Sequence, residues 1–261
     1  MLDDFSLTIN EGGVIGLLGK NGAGKSTLLY LMAGLLNPSK GSIRFNNYTP
    51  FAREPEFLKD IFIVAEEFSL PSMSLKKFVE LNSKFYPNFS ETDLNRNLEI
   101  FELDKDLKLD SLSMGQKKKT FLSFALACKT SLLLLDEPTN GLDIPGKRQF
   151  RRFIVSSMKE DRTIIISTHQ VFDVNKILDH VIITDNQKVL LDKSIPDILS
   201  KLRFVETNSP SLISEAIFSR PSAAGQNIIL HNVDGNETEL NLESLFEFAV
   251  TDYKKLQSLF I

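Results

Sequence analysis

The apolar run Val14-Ile15-Gly16-Leu17-Leu18 passes directly into Gly19-Lys20-Asn21-Gly22-Ala23-Gly24-Lys25-Ser26-Thr27, and a helical pattern follows to about Leu35. The glycine-rich segment fits G-x-x-x-x-G-K-[ST] in full. Its glycines let the backbone curl into a ring of N–H donors around an oxyanion. A helix that starts there aims its positive end at the same point. Lys25 would reach the β- and γ-phosphates, and Ser26 Oγ would ligate Mg2+. A glycine turn can match the pattern by chance. The strand before it and the helix after it instead make a nucleoside triphosphate the expected ligand, with the reaction left open.

A second segment has the complementary chemistry. Leu132-Leu133-Leu134-Leu135 is a buried-strand run that ends in Asp136 and Glu137. Open α/β sheets bind ligands at the carboxyl ends of their strands. Asp136 is placed to hold Mg2+, usually through water, and Glu137 to orient an attacking water or take its proton. The plain alternative is a carboxylate pair that only closes a strand before Pro138.

Strands are expected at 61–64, 132–135 and 163–166, with a helix near 146–159 between the last two. A hairpin around Asp185-Asn186 joins 181–184 to 189–191, an edge hairpin is read at 5–13, and 43–45 is a further strand candidate. Alternating strands and helices indicate an α/β fold with a mainly parallel sheet. A helical insertion spans about 69–129, with amphipathic faces at Leu75, Phe78 and Val79, then at Leu94, Leu98 and Phe101. From about Leu202 the texture changes to a small α+β extension. Strands are read there at 204–206, 228–230 and 238–240, with helices from Pro210 and over 242–250. The expected domains are therefore 1–202 and 203–261.

Composition narrows the function classes. Lys+Arg 30 against Asp+Glu 34 gives a net charge of −4, which offers no basic surface for nucleic acid. The one cysteine, Cys128, excludes an intrachain disulfide and a cysteine-rich metal site, as a reducing compartment would favour. No stretch approaches the roughly 20 apolar residues of a membrane span. Met1-Leu2-Asp3-Asp4 lacks the basic and apolar regions of a signal peptide. A soluble intracellular chain is expected.

Three further segments complete a pattern: Leu112-Ser113-Met114-Gly115-Gln116, then Asn140-Gly141-Leu142-Asp143, then Ile166-Ser167-Thr168-His169. In this order, with the phosphate loop and the Asp136-Glu137 strand, the chain resembles the ATP-binding cassette (ABC) ATPases. The resemblance runs from Gly19 to His169, and the family layout reaches about Leu202. It implies a P-loop NTPase core, ATP and Mg2+ as cofactors, and ATP hydrolysis with Lys25, Glu137 and His169 as catalytic residues. It also implies a head-to-tail, ATP-dependent dimer with itself or a related cassette. In that dimer Ser113, Gly115 and Gln116 of one copy meet the γ-phosphate held by the other. Asp143 matches the aspartate that shapes the dimer interface, and His169 the histidine that bonds the γ-phosphate and the attacking water. Ser113 and Asp143 also read as ordinary helix N-caps.

Two positions depart from the family pattern. Glu66 stands where a glutamine is usual; a carboxylate accepts hydrogen bonds and can ligate Mg2+ but cannot donate. Glu66 is therefore expected to sense the metal. No Tyr or Trp precedes Gly19, only 18 positions after Met1 (19 − 1), and Phe5 has the wrong offset to stack on adenine. Either the start lies upstream or adenine is held weakly.

The implied function is the ATPase subunit of a transporter, working through a separately encoded integral-membrane permease on the cytoplasmic face of the plasma membrane. Glu66 and the C-terminal stretch 239–246 most resemble single-cassette bacterial export ATPases. Phe68, Leu70, Pro71 and Met73 would touch the permease or pack the insertion. The alternative is a soluble ABC-type ATPase acting on chromosomes or ribosomes. Ser26 and Ser113 are only 87 positions apart (113 − 26) with no intervening heptads, and one cassette is present rather than two.

Overall fold

The computed structural model describes residues 6–158 and 161–260. In chain order the elements are β1 (Gly13–Leu18), α1 (Lys25–Met32), α2 (Pro55–Lys59), β2 (Ile61–Val64), α3 (Leu75–Asn82), α4 (Glu91–Ile100) and α5 (Met114–Ala127). They continue with β3 (Leu132–Asp136), α6 (Ile144–Ser156), β4 (Thr163–Thr168), β5 (His180–Asp185), β6 (Lys188–Ser194) and α7 (Ile195–Lys201). The extension adds β7 (Leu202–Thr207), α8 (Pro210–Ser214), β8 (Phe218–Ser222), β9 (Gly225–His231), α9 (Leu242–Thr251) and α10 (Tyr253–Ser258). The chain forms two compact units, one holding Gly24–Thr168, the other Ile15–Ala23 and 169–260.

In the first unit β2, β3 and β4 are parallel neighbours, with Val64 opposite Leu135 and Asp136 opposite Ser167. Their apolar runs are continuous because both faces are covered. Leu133, Leu134, Leu135, Ile164 and Ile166 are fully buried. Phe124 of α5 is the hub of the insertion, its ring 5.1 Å from Phe78 and 5.5 Å from Phe89. Phe68 lies 4.8 Å from Phe121, so of the two roles open to it, packing of the insertion is the one present. α6 begins at Ile144, earlier than the pattern indicated, because Asp143 caps it and Pro145 suits the first turn. α1 stops at Met32. Gly34 follows at φ +67, and a Cβ there would lie 2.1 Å from the Pro50 carbonyl oxygen.

In the second unit β1 runs parallel to β5, and β5 pairs antiparallel with β6 around the expected turn. A three-stranded antiparallel sheet, β7-β9-β8, forms the core of the extension. α9 packs on β5, β6 and β9, and the Phe248 ring stacks 5.2 Å from Phe218.

Several strand expectations are corrected. Residues 6–10 carry no strand, and Phe5 lies outside the described residues. The 43–45 segment makes only one bridge, Phe45 to Tyr48, because the chain turns back at once. The 238–240 segment is not a strand: Thr238 Oγ1 takes the Phe204 N–H and donates to its carbonyl, so a side chain satisfies that main chain. The missed strand is β8, whose Pro221 is tolerated because β9 is its one partner.

Candidate active site

Glycine comes first among the candidate residues of the first unit. Gly24 is the N-cap of α1 at φ 92, a left-handed conformation that a side chain would resist, and it offers no side-chain cap. Lys25 follows, 6% exposed, with Ser26 and Thr27 half-buried beside it. Its Nζ lies 3.7 Å from Glu137 Oε1. Burial pulls the Lys25 ammonium below the ordinary lysine value, while Glu137, Asp136 and Glu66 pull it back up.

Asp136 and Glu137 stand at the end of β3, 1% and 4% exposed. The Ser167 hydroxyl donates to Asp136 Oδ1 across the β3–β4 register. Asp136 Oδ2 is buried and has no hydrogen-bond partner. A buried carboxylate oxygen left unpaired is costly, and such a donor set, with the Ser26 hydroxyl near the start of α1, suits a hard cation. The residues present thus fit Mg2+. Glu137 is fixed at both ends. Its Oε2 accepts from Thr168 Oγ1 at 3.0 Å, and its main-chain N–H donates to the Ser167 carbonyl at 3.0 Å. Glu66 is exposed and accepts a 2.8 Å bond from Asn140 Nδ2.

Ser113 caps α5 in a reciprocal box: its Oγ takes the Gln116 N–H, and Gln116 Oε1 takes the Ser113 N–H. Both residues are exposed, as is Met114 at 67%. A Cβ on Gly115 would stand 3.3 Å from the Gly141 carbonyl oxygen, so the start of α5 lies against the loop after β3. Asp143 caps α6 through Gly146 N–H at 2.9 Å, and the next residue, Ile144, is 72% exposed. The cap readings of Ser113 and Asp143 are thus both present.

The first unit brings together Lys25, Asp136, Glu137 and Glu66, with Asn140, Ser167 and Thr168 as supports. Gly19, Lys20, Asn21, Gly22 and Ala23 belong to the second unit, where Ala23 N–H donates to the Lys20 carbonyl at 3.1 Å. His169 is exposed in that unit too. Sequence reasoning missed Lys118, which is 6% exposed and donates to the carbonyls of Glu137 and Asn140. The signal was available: Lys118 stands one helical turn before Leu122, on the buried side of α5.

Comparison with known proteins gives consistent results. The family model described as ABC transporter matches residues 2–140. The chain is 32% identical over 193 residues to the bacitracin transport ATP-binding protein BcrA of Bacillus licheniformis. That match covers 72% of this chain but 63% of the relative, less than two thirds of its length. It is 30% identical to the ABC transporter ATP-binding protein NatA of Bacillus subtilis, covering 78% of this chain and 86% of the relative. Among solved structures, an ATP-binding subunit of an ABC transporter superposes with a TM-score of 0.66 at 26% identity. It covers 76% of this chain and 85% of that one.

Proposed function

The chain belongs to the ABC transporter family, and from that premise we propose that it is the ATP-binding and ATP-hydrolysing subunit of such a transporter. The observation that carries this reading is the environment of Glu137, buried at a strand end between Lys25 Nζ and the Thr168 hydroxyl. Nothing in packing alone calls for a carboxylate there.

ATP is the substrate. Lys25 reaches the β- and γ-phosphates, and the neighbouring Glu137 carboxylate, 3.7 Å from its Nζ, faces the water to be activated. Ser26 Oγ and Asp136 would hold Mg2+, which when bound neutralises charge on the triphosphate; Glu66 joins them as the residue that senses the metal. Glu137 orients the water and takes its proton. The new P–O bond forms as the bond from the γ-phosphorus to the β,γ-bridging oxygen breaks, releasing ADP and phosphate. His169 contacts the γ-phosphate, and the ring from Gly19 through Thr27 holds the chain of phosphates.

A second cassette completes the site. The turn of exposed Ser113, half-buried Gly115 and exposed Gln116 meets the other copy's γ-phosphate, with Asp143 at the same interface. Exposed Met114 and Ile144 supply apolar surface there. Residues 1–202 make up the cassette and 203–261 an extension. No helix among the described residues is long and apolar enough to cross a membrane. The translocation pathway is therefore assigned to a separate integral-membrane subunit, with this chain on its cytoplasmic face. Export is the proposed direction, supported by Glu66 and the 239–246 stretch.

The test is the mass of Glu137→Gln in solution. Light scattering should give a dimer with Mg-ATP and a monomer without it. A monomer at saturating ATP overturns the two-cassette reading. Failure to co-purify with any integral-membrane protein overturns the transport role.

A further inference from the structure

Three successive lysines open α5, and only the middle one is buried. Lys117 and Lys119 are half-buried, whereas Lys118 is 6% exposed. Among the described residues Lys118 and Lys25 are the only buried lysines. An ammonium out of water is unfavourable unless it finds acceptors. Lys118 Nζ has two, the main-chain carbonyl of Glu137 at 3.0 Å and that of Asn140 at 3.1 Å. Those residues are the two ends of one turn, since Asn140 N–H donates to the same Glu137 carbonyl at 3.2 Å.

That turn holds its first residue in an unusual conformation. Glu137 has φ +43, in the left-handed region that non-glycine residues seldom enter. Such a backbone persists only where its surroundings over-determine it. Ser167 fixes the N–H side of Glu137 and Thr168 its side chain. Lys118 fixes the carbonyl side. The direction in which the Glu137 carboxylate leaves the backbone depends on that peptide plane.

We propose that Lys118 is a positioning residue that fastens the start of α5 to the turn bearing Glu137, so that movement of the signature turn is delivered to the hydrolytic carboxylate. The inference rests on the function proposed above, in which Ser113, Gly115 and Gln116 meet one nucleotide and Glu137 acts on another. The capping box stiffens the first turn of α5, and Lys118 stands one turn further along the same helix. The close approach of Gly115 to Gly141 is a second contact between the same two segments. Lys119 Nζ adds a 2.9 Å bond to Gln149 of α6, the helix that follows the loop. The loop is thereby held to α5 at Glu137, Asn140 and Gly141, and the helix after it at Gln149. Burial pulls the Lys118 ammonium below its ordinary value, and Glu66, Glu137 and Asp136 partly oppose this.

Lys118→Met keeps the stem and removes the donors. In nucleotide-free protein, amide hydrogen exchange at Asn140 and Leu142, which bond within the loop, should quicken at least tenfold. The interior of α5 should be unchanged. ATP affinity and KM should stay within about twofold while kcat falls about 10- to 100-fold, and Lys118→Arg should restore most of kcat. Should Lys118→Met fail to fold, Lys118→Gln is measured in its place. Unchanged loop exchange in a folded variant overturns the tie. Faster exchange with unchanged kcat overturns the positioning role. A wild-type chain that binds no ATP defeats the proposed function instead, and the exchange measurement still decides whether the tie exists.

Discussion

The Lys25 ammonium and the Glu137 carboxylate lie 3.7 Å apart, both almost wholly buried. The group expected to bind phosphate thus stands within ion-pair distance of the group expected to activate water. Removing one member deprives a buried charge of this partner, which costs up to about 3 kcal/mol. Lys25→Met should therefore lower the unfolding free energy by that order in urea titrations. The double variant Lys25→Met/Glu137→Gln should lose roughly 1–2 kcal/mol less than the sum of the single losses. Strict additivity would show that the pair is not coupled.

Glu137→Gln keeps the acceptor for Thr168 and removes the proposed base. Hydrolysis should fall by roughly 10²- to 10⁴-fold, the usual scale for a general base, while ATP binding measured by fluorescent-analogue displacement is preserved. Hydrolysis at the wild-type rate would remove Glu137 from its role.

Glu66→Gln can still accept the bond from Asn140, so thermal stability should hardly move. What disappears is a negative charge near Lys25 and Lys118. The Mg2+ concentration giving half-maximal hydrolysis should rise roughly tenfold, the scale seen when a metal site loses a supporting group. Unchanged metal dependence and turnover would refute metal sensing by Glu66.

Residues 1–18 contain no Tyr or Trp, and an aromatic face stacked on a base contributes about 1–3 kcal/mol. ATP and GTP should compete within roughly tenfold of each other for the wild-type chain. A clear tenfold or greater preference for ATP would show that another group reads the base.

Asp93 provides the pH test. The Lys129 bond, then those of Ser90 and Arg96, hold its carboxyl below the ordinary value against the effect of burial. A carboxylate whose folded value is depressed stabilises the protein above its unfolded value, near 3.8, and that contribution is lost as pH falls through the folded one. Solvent screening limits it to about 0.5–1 kcal/mol. Asp93→Asn should cost that much at pH 7 and flatten the acid limb of stability by the same amount. An identical acid limb in both proteins would contradict the assignment.

What the sequence made legible follows from how far each signal travels along the chain. β2, β3 and β4 were readable because strands covered on both faces are unbroken apolar runs. Asp136 and Glu137 were readable because they sit immediately after such a run. Lys118 was passed over because its place on the buried side of α5 says nothing of its acceptors, which are carbonyls some twenty positions away (137 − 118 = 19, 140 − 118 = 22). β8 was missed for a related reason. Phe218-Ser219-Arg220-Pro221-Ser222 contains a proline and little apolar character, and it becomes a strand only because β9 supplies a ladder. Thr238 produced the opposite error, since a β-branched residue in an alternating stretch spends its hydroxyl on Phe204 and leaves the strand unformed.

The C-terminal helices close over the β5–β6 hairpin. Leu245 and Leu256 are fully buried, and Gln257 Nε2 reaches the Leu190 carbonyl at 3.1 Å. Leu190 and Leu191 of β6 lie under that roof, 4% and 3% exposed. Cutting the chain after α7 would wet the β5–β6 hairpin, so the last sixty or so residues are not a detachable ornament. Any force applied to this tail, by protease or by a binding protein, is a force on the strand beside it.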